Sequence, residues 1–521
     1  MPTIQFKGKP FVQNHHLTVP YHELIPVPEK SMTNEVRLDD NLIIHGDNLV
    51  ALKALLPVYA GKVKCIYIDP PYNTGTERWI YNDNVNSPMM REWIGKVVDK
   101  DDLTRHDKWL CMMMPRLKLL HELLADDGFI FVSIDHFEVS SLRLLMDEVF
   151  GSHNHRNTIA VRRGIKNVQS QFEDLHALAV GHEYVLLYSK NEKTRLPKLK
   201  HTLDQSNPGK WDTFWRGTDR PTMRYTLFGQ TPETGQWRWE ENRAIRAREN
   251  YERYLRDYAD HMSLDDYYFY HLQSTNEKLD FLRLNEDGVV QYYVPPRDFR
   301  LMSDNWMDIT ISGSVTTFDT EKSVEFIQRI IKWICPHGNE IILDSFAGSG
   351  TTGHAVLDLN KKDGGKRKFI LVEMEDYVEE LTLNRIREAA NATGGSFSFF
   401  KLGKSVDIQG LITGENLPPY MELARYVFYT ATGEAFDPSK VDESRFYIGS
   451  SSRYDVYLVY KPDLAFLKSA AINLEFAEGL GPYRDKKRLV FAPMKYLDEY
   501  YLEKYQIEFA QLPYEIFRLK G

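Results

Sequence analysis

No run of this sequence stays apolar long enough to cross a bilayer, and the opening residues MPTIQFKGKPFVQ lack the apolar core of a secretion signal. The expectation is a cytoplasmic protein with no membrane anchor. Cysteine is scarce: Cys65, Cys111 and Cys335 stand far apart in apolar settings, which argues against a disulfide framework and against zinc-ligand spacing. No metal site is expected. Repeats and low-complexity tracts are missing, so neither a solenoid nor a disordered tract is in prospect. Neither sign of charge dominates. The 65 basic and 74 acidic side chains leave a formal net charge of −9, mildly against a protein coated in nucleic acid but compatible with a local basic face.

What is present is an ordinary globular balance, 42% hydrophobic and 27% charged over 521 residues, long enough for about two to four domains. From about Asn41 the pattern becomes regular. NLIIHGD is a short apolar run ending in Gly46-Asp47, NLVALKALLPVYAG has helical spacing and a glycine stop, and KVKCIYID is a second run ending at Asp69. HDKWLCMMMPRLKLLHELLADDG reads as a helix that Pro115 either kinks or starts. GFIFVSID, NTIAVRR and EYVLLYSK supply further strands, with HFEVSSLRLLMDEVFG as a helix between them. Strands alternating with helices at this spacing predict an α/β fold, a mostly parallel, doubly wound sheet covered on both faces. The pattern breaks from about Asn191 to Gly313, where aromatic and basic residues crowd together, and resumes with NEIILDSFAGSGTTGHAVLDLNKK and KRKFILVEMED. The expected organisation is an extension over 1–38, a sheet domain in two halves at 39–190 and 313–400, an insert at 191–312, and a small C-terminal α/β domain at 401–521.

Two stretches carry chemistry. DSFAGSGTTG, Asp344 to Gly353, is a strand-to-helix turn built for close approach: Gly348 and Gly350 remove Cβ atoms, and Thr351 and Thr352 can satisfy free amides at the helix start. Helix–strand packing accounts for such a turn equally well. A phosphate loop does not, since no lysine follows the glycines and the three-glycine dinucleotide spacing is absent. Glu373 ends the next strand about twenty residues on, either placed for ribose hydroxyls or a plain surface acid. Turn and acid together suit a nucleoside ligand without a phosphate.

The other stretch is CIYIDPPYNTG. Two adjacent prolines can neither continue a helix nor donate to a ladder, so Asp69-Pro70-Pro71-Tyr72 is a stiff loop at a strand end. The Asp69 carboxylate and a proline carbonyl form two acceptors in fixed directions, suited to an exocyclic amino group, and the Tyr72 ring offers a stacking face for a base. A rigid turn in which Asp69 caps a nearby amide stays open. If EIILD and CIYID are neighbours where the winding reverses, both half-sites share one crevice.

DPPYNTG and DSFAGSGTTG resemble the catalytic and cofactor motifs of S-adenosylmethionine-dependent DNA methyltransferases that modify exocyclic amino groups. Their order, catalytic motif first, resembles the beta class, whose Rossmann-like fold is circularly permuted. LIIHGDNLVALKALL, IYIDPPYNTG, TEKSVEFIQRII and LDSFAGSGTTGHAVLDLN are similar to the modification (Mod) subunits of type III restriction–modification systems. The likeness is good over 39–190 and 314–401, looser in the tail and slight in the middle. It implies S-adenosyl-L-methionine as cofactor, with no metal and no covalent intermediate. It implies that Asp69 and Pro70 hold the target amino group in a loop stiffened by Pro71, and that Tyr72 stacks on an extruded base. Asp344, Phe346, Ala347, Gly348, Gly350 and Thr351 would line the cofactor, with Glu373 at its ribose. Thr320, Glu321 and Lys322 match the segment that closes over the methionine end; Asp47 either contacts the adenine or only shapes a Gly-Asp turn.

The activity so implied is site-specific methylation of adenine N6 in double-stranded DNA. Cytosine N4, an amino group on RNA or protein, and a catalytically inactive DNA-binding specificity subunit stay open as alternatives. The resemblance also implies a homodimer and a helicase–nuclease restriction subunit as partners. For DNA contact, Arg162, Arg163 and Lys166 form an acid-free basic stretch, and Arg216, Arg220, Arg224 and Arg238 interleave with Trp211, Trp215, Trp237 and Trp239. The tryptophans read as the core of the insert, the arginines as its DNA contacts.

Overall fold

A computed structural model describes residues 3–33, 35–74, 104–164, 178–218, 220–313, 321–406, 408–414, 417–481 and 486–512. The sheet strands are β1 (Tyr21–Pro26), β2 (Leu42–His45), β3 (Val63–Ile68), β4 (Leu124–Ile134), β5 (His155–Arg162), β6 (His182–Ser189), β7 (Asn305–Thr310), β8 (Ile341–Asp344), β9 (Lys368–Glu373) and β10 (Ser398–Val406). They form one ten-stranded sheet in the order β1-β10-β2-β9-β8-β3-β4-β6-β5-β7. The strands from β10 through β4 run parallel; β6 is antiparallel to both its neighbours, and β1 pairs antiparallel at one edge. This is the expected doubly wound α/β architecture. The central strand β3, VKCIYI, is buried at every position except Lys64, as a strand covered on both faces requires.

The covering helices are α1 (Asn48–Tyr59), α2 (Arg105–Leu123), α3 (Val139–Met146), α4 (Val324–Ile334), α5 (Thr351–Asp363) and α6 (Leu381–Thr393). α1 is buried nearly all round, whereas α4 presents an apolar stripe of Phe326, Ile327, Ile330, Ile331 and Ile334, and Ser323 caps its first turn by accepting from the Phe326 amide. Pro115 lies inside α2 rather than at its start. Pro115 brings no N–H for the Cys111 carbonyl four residues back, and the Arg116 guanidinium donates to the neighbouring Met112 carbonyl at 2.8 Å. Leu124–Asp127, expected within that helix, already belong to β4, because Leu124 pairs in register with Val63.

The winding direction reverses between β8 and β3. From β8 the chain passes through α5 to β9 on one side, and from β3 it passes to β4 on the other. Ile342 pairs with Cys65 and Leu343 with Ile66. The three cysteines are free and buried, and no helix among the described residues is long and apolar enough to cross a membrane.

The chain divides into two compact units, a large one of 1–197 and 304–521 and a smaller one, Lys198–Ser303. The inserted unit is thus tighter than the 191–312 span anticipated. The tail, expected as a domain of its own, carries a separate sheet of Tyr447–Ser450, Tyr454–Leu458, Lys487–Ala492 and Ile507–Gln511, yet clusters with the large unit. Leu423, Val427 and Phe428 of the helix Tyr420–Thr432 share the core with Leu52 and Leu56 of α1, so no solvent gap separates it.

In the smaller unit, Trp237 stacks on Phe214 with ring centroids 5.6 Å apart, Trp239 packs edge-on to the same ring, and Trp211 joins Tyr251 and Tyr293. These three tryptophans are core, as read. Trp215 is not: it is 44% exposed beside Arg216 on a two-residue strand, its indole N–H donating to the Thr234 carbonyl.

Candidate active site

The expected neighbours are neighbours. Because β8 and β3 are adjacent, the glycine turn after Asp344 and the proline loop after Ile68 leave the same edge of the sheet side by side. Phe346 and Tyr72 are both half-buried against one core cluster.

On the proline-loop side, Asp69 follows β3 and faces Lys322, whose Nζ lies 3.2 Å from its Oδ1. The same ammonium donates to the Tyr72 hydroxyl oxygen at 2.6 Å and lies 4.8 Å from the centre of its ring. Lys322 also reaches Glu183 at 3.1 Å. Burial pushes the Asp69 carboxyl above its usual range, against the pull of the Lys322 ammonium and with Glu183 adding to the rise. Burial alone would lower Lys322, but Asp69 and Glu183 outweigh it and hold the ammonium charged. Behind the loop, the Trp109 indole N–H donates to the Pro71 carbonyl at 2.6 Å. Asn73 follows in a left-handed conformation, φ 58, its amide donating to the fully buried Glu138, which His106 also contacts. Helices α2 and α3 thus clamp the stiff loop from both ends.

On the glycine side, Asp344 is buried and turned inward: its carboxylate accepts from the Phe346 amide at 3.1 Å and the Thr352 hydroxyl at 2.5 Å. The Ala347 amide donates to the Val372 carbonyl, and the Gly348 amide donates to Glu373 Oε2 at 2.8 Å. The other Glu373 oxygen accepts from the Met374 and Glu375 amides. Gly348 and Gly350 hold φ 51 and φ 83, where side chains are strained, and a Cβ on Gly350 would sit 3.0 Å from Thr382 Cγ2. Thr351 is buried, its hydroxyl 3.4 Å from the Lys322 carbonyl, which ties the two half-sites together. Asp47 caps α1, accepting from the Leu49 and Val50 amides, with Arg116 3.5 Å away.

Burial lifts the Asp344 carboxyl to about 7, the bonds from Thr352 and Phe346 opposing and the charges of Asp69 and Glu373 adding to the rise. A carboxyl raised in the folded state stabilises the fold fully below its unfolded value near 4 and loses that contribution as pH climbs through about 7. Asp344→Asn is therefore expected to flatten the loss of stability across that window, worth on the order of a few kcal/mol. Melting temperature measured from pH 5 to pH 8 checks this; parallel curves for the two proteins would refute it.

Thr320 and Lys166 lie outside the described residues. Arg162 is exposed at the end of β5, and Arg163 lies 3.4 Å from Glu183. In the smaller unit Arg216 and Arg220 face solvent, whereas Arg224 donates to the Gly235 carbonyl and Arg238 to the Thr213 carbonyl while lying over the Tyr292 ring. Sequence reasoning did not single out Glu183, Arg385 or Thr382. Arg385 pairs with buried Glu321 at 2.7 Å and donates to the Ser349 and Thr351 hydroxyls, and the Thr382 hydroxyl donates to the Gly348 carbonyl at 2.6 Å. The signal open to a reader was Glu183 itself, an acid at the head of the wholly apolar run YVLLY, where a buried strand tolerates charge only with a partner.

Residues 63–384 match the family profile described as DNA methylase. The chain is 28% identical over 399 residues to the Mod subunit of the type III restriction–modification enzyme EcoP15I of Escherichia coli, covering 66% of this chain and 60% of that one. To the StyLTI Mod subunit of Salmonella typhimurium it is 29% identical over 417 residues, covering 73% and 59%. To the type II methyltransferase M.KpnI of Klebsiella pneumoniae it is 32% identical over 355 residues, covering 63% and 79%. The chain therefore spans about three-fifths of the length of these type III relatives.

Proposed function

The chain belongs to the DNA methylase family, and on that premise we propose that it transfers a methyl group from S-adenosyl-L-methionine to the exocyclic N6 amino group of adenine in duplex DNA. The observation that carries this reading is the pairing of β8 with β3, which sets a glycine turn beside an Asp-Pro-Pro-Tyr loop at one sheet edge.

The residues suit such a cofactor by their charge. Asp344 and Glu373 stand at the strand ends as buried carboxyls, each raised above its usual range first by burial. A cationic sulfonium ligand with a ribose diol answers that acidic edge. Phe346 offers a half-buried apolar ring beside the turn that Glu373 holds through the Gly348 amide. When bound, the cofactor supplies a methyl group already activated on sulfur, so the protein's work is alignment.

Asp69 and the Pro70 carbonyl accept the two N–H bonds of the amine and draw the nitrogen towards tetrahedral geometry. Tyr72, locked through its hydroxyl, presents its ring to the base. An amine paired in a duplex must be extruded at a cost of about a few kcal/mol, and stacking on Tyr72 offsets part of it. The solvent-facing Arg216 and Arg220, next to exposed Trp215, support the smaller unit as the reader of the DNA. The Mod likeness extends the reading to a homodimer and to a helicase–nuclease partner that cuts unmodified DNA in the cytoplasm.

The test uses the purified chain with labelled cofactor and three acceptors: unmodified bacterial duplex DNA, RNA and protein. Label is expected in the DNA as N6-methyladenine. Label confined to cytosine, RNA or protein would overturn the assignment.

A further inference from the structure

The contacts around Tyr72 converge on a group that no motif marks. Glu183 stands near the start of β6, 5% exposed. Its Oε2 accepts from the Tyr72 hydroxyl at 2.8 Å and from Lys322 Nζ at 3.1 Å, while its Oε1 lies 3.4 Å from Arg163 Nε. Lys322 therefore stands between two carboxylates, Asp69 on one side and Glu183 on the other.

This arrangement has a consequence for the amine. The Lys322 ammonium lies 3.2 Å from Oδ1 of Asp69, the carboxylate that the methyl acceptor requires. It is an N–H donor resting where another N–H donor must go. A base held on that oxygen displaces the ammonium from Asp69, and a buried ammonium released without an acceptor is costly. Glu183 and the Tyr72 oxygen already supply the other acceptors.

We propose that Glu183 is a positioning residue for methyl transfer: it retains the Lys322 ammonium when the target amino group takes its place on Asp69, and it fixes the Tyr72 hydroxyl so that the ring stands ready for the base. The inference rests on reading the site as one for amino-group methylation. Once Glu183 is neutral, Asp69 is the remaining anion in contact with Lys322 among the described residues, and the ammonium then competes with the base.

The experiment is a double-mutant cycle on the full chain with Glu183→Gln, Lys322→Met and the double variant. Single-turnover methyl transfer is measured on unmodified bacterial genomic DNA, cofactor affinity by calorimetry, and stability by thermal melting. Glu183→Gln is expected to slow single turnover by about a hundredfold when Lys322 is present and by less than about threefold when it is methionine, the substitution at Glu183 itself leaving the cofactor affinity of each background where it was. The double variant leaves Asp69 without its cation, but that side chain is 19% exposed and keeps access to water, so the double variant folds even if Glu183→Gln alone does not. An equal slowing in both backgrounds, an equal loss of melting temperature in both, or a fall in cofactor affinity would assign Glu183 to the scaffold and overturn the proposal. A wild-type chain that transfers no methyl group to DNA would instead bring down the reading of the site, before any substitution is compared.

Discussion

Replacing Asp69 by alanine is expected to lower methyl transfer to duplex DNA by about a thousandfold or more while leaving cofactor affinity within about threefold, because a positioned acceptor acts mainly on the transition state. The lone pair of the amine is delocalised into the ring, and the nitrogen becomes nucleophilic only as its N–H bonds are drawn out of plane. Asp69 is one of the two acceptors able to do so. Asp69 makes none of the bonds that shape the glycine turn, which Asp344, Val372, Glu373 and Thr382 hold instead. Protonation of Asp69 has the same effect as removing an acceptor. The wild-type rate therefore falls on the acid side, and it does so above the ordinary carboxylate range because burial lifts that carboxyl. Methylation-sensitive sequencing of DNA from cells expressing each protein, with pH–rate profiles of the purified chains, provides the check. An Asp69→Ala protein keeping a tenth of its activity would rule out the mechanism.

The largest effect on stability is expected at Arg385. Its side chain and that of Glu321 are 4% and 1% exposed and 2.7 Å apart, and Arg385 also donates to Ser349, Thr351 and His354. Arg385→Met leaves a carboxylate buried without its cation, which costs on the order of 3–5 kcal/mol. In a chain of this size that lowers the melting temperature by about 5 °C. The same substitution frees the hydroxyls that steady the start of α5, so cofactor affinity falls along with stability. Adding Glu321→Gln should restore most of the melting temperature, since the pair is then removed as a unit. A double variant no more stable than Arg385→Met alone would show that the loss has another origin.

What could be read from sequence was whatever is local. The Asp-Pro-Pro-Tyr loop and the Phe-Ala-Gly-Ser-Gly turn announce themselves because proline and glycine dictate backbone geometry within a few residues. The doubly wound sheet was legible for the same reason: each strand is a short apolar run with its own stop. What escaped is what depends on distant pairing. Glu183 meets Tyr72 across 111 positions and Lys322 meets Tyr72 across 250. Arg385 looked like any polar residue of an amphipathic helix until α6 was placed against the glycine turn. Composition also misled about one tryptophan of the insert, since Trp215 lies open to solvent.

The ladder between β8 and β3 does more than bring two loops together. Adjacent strands sit about 4.8 Å apart whatever their sequence, so the gauge between the glycine turn and the proline loop is inherited from backbone amides. A gauge of that kind is indifferent to which bases are read. On the proposed reading, Lys198–Ser303 can be rewritten, and with it the DNA word selected, without recalibrating the reaction.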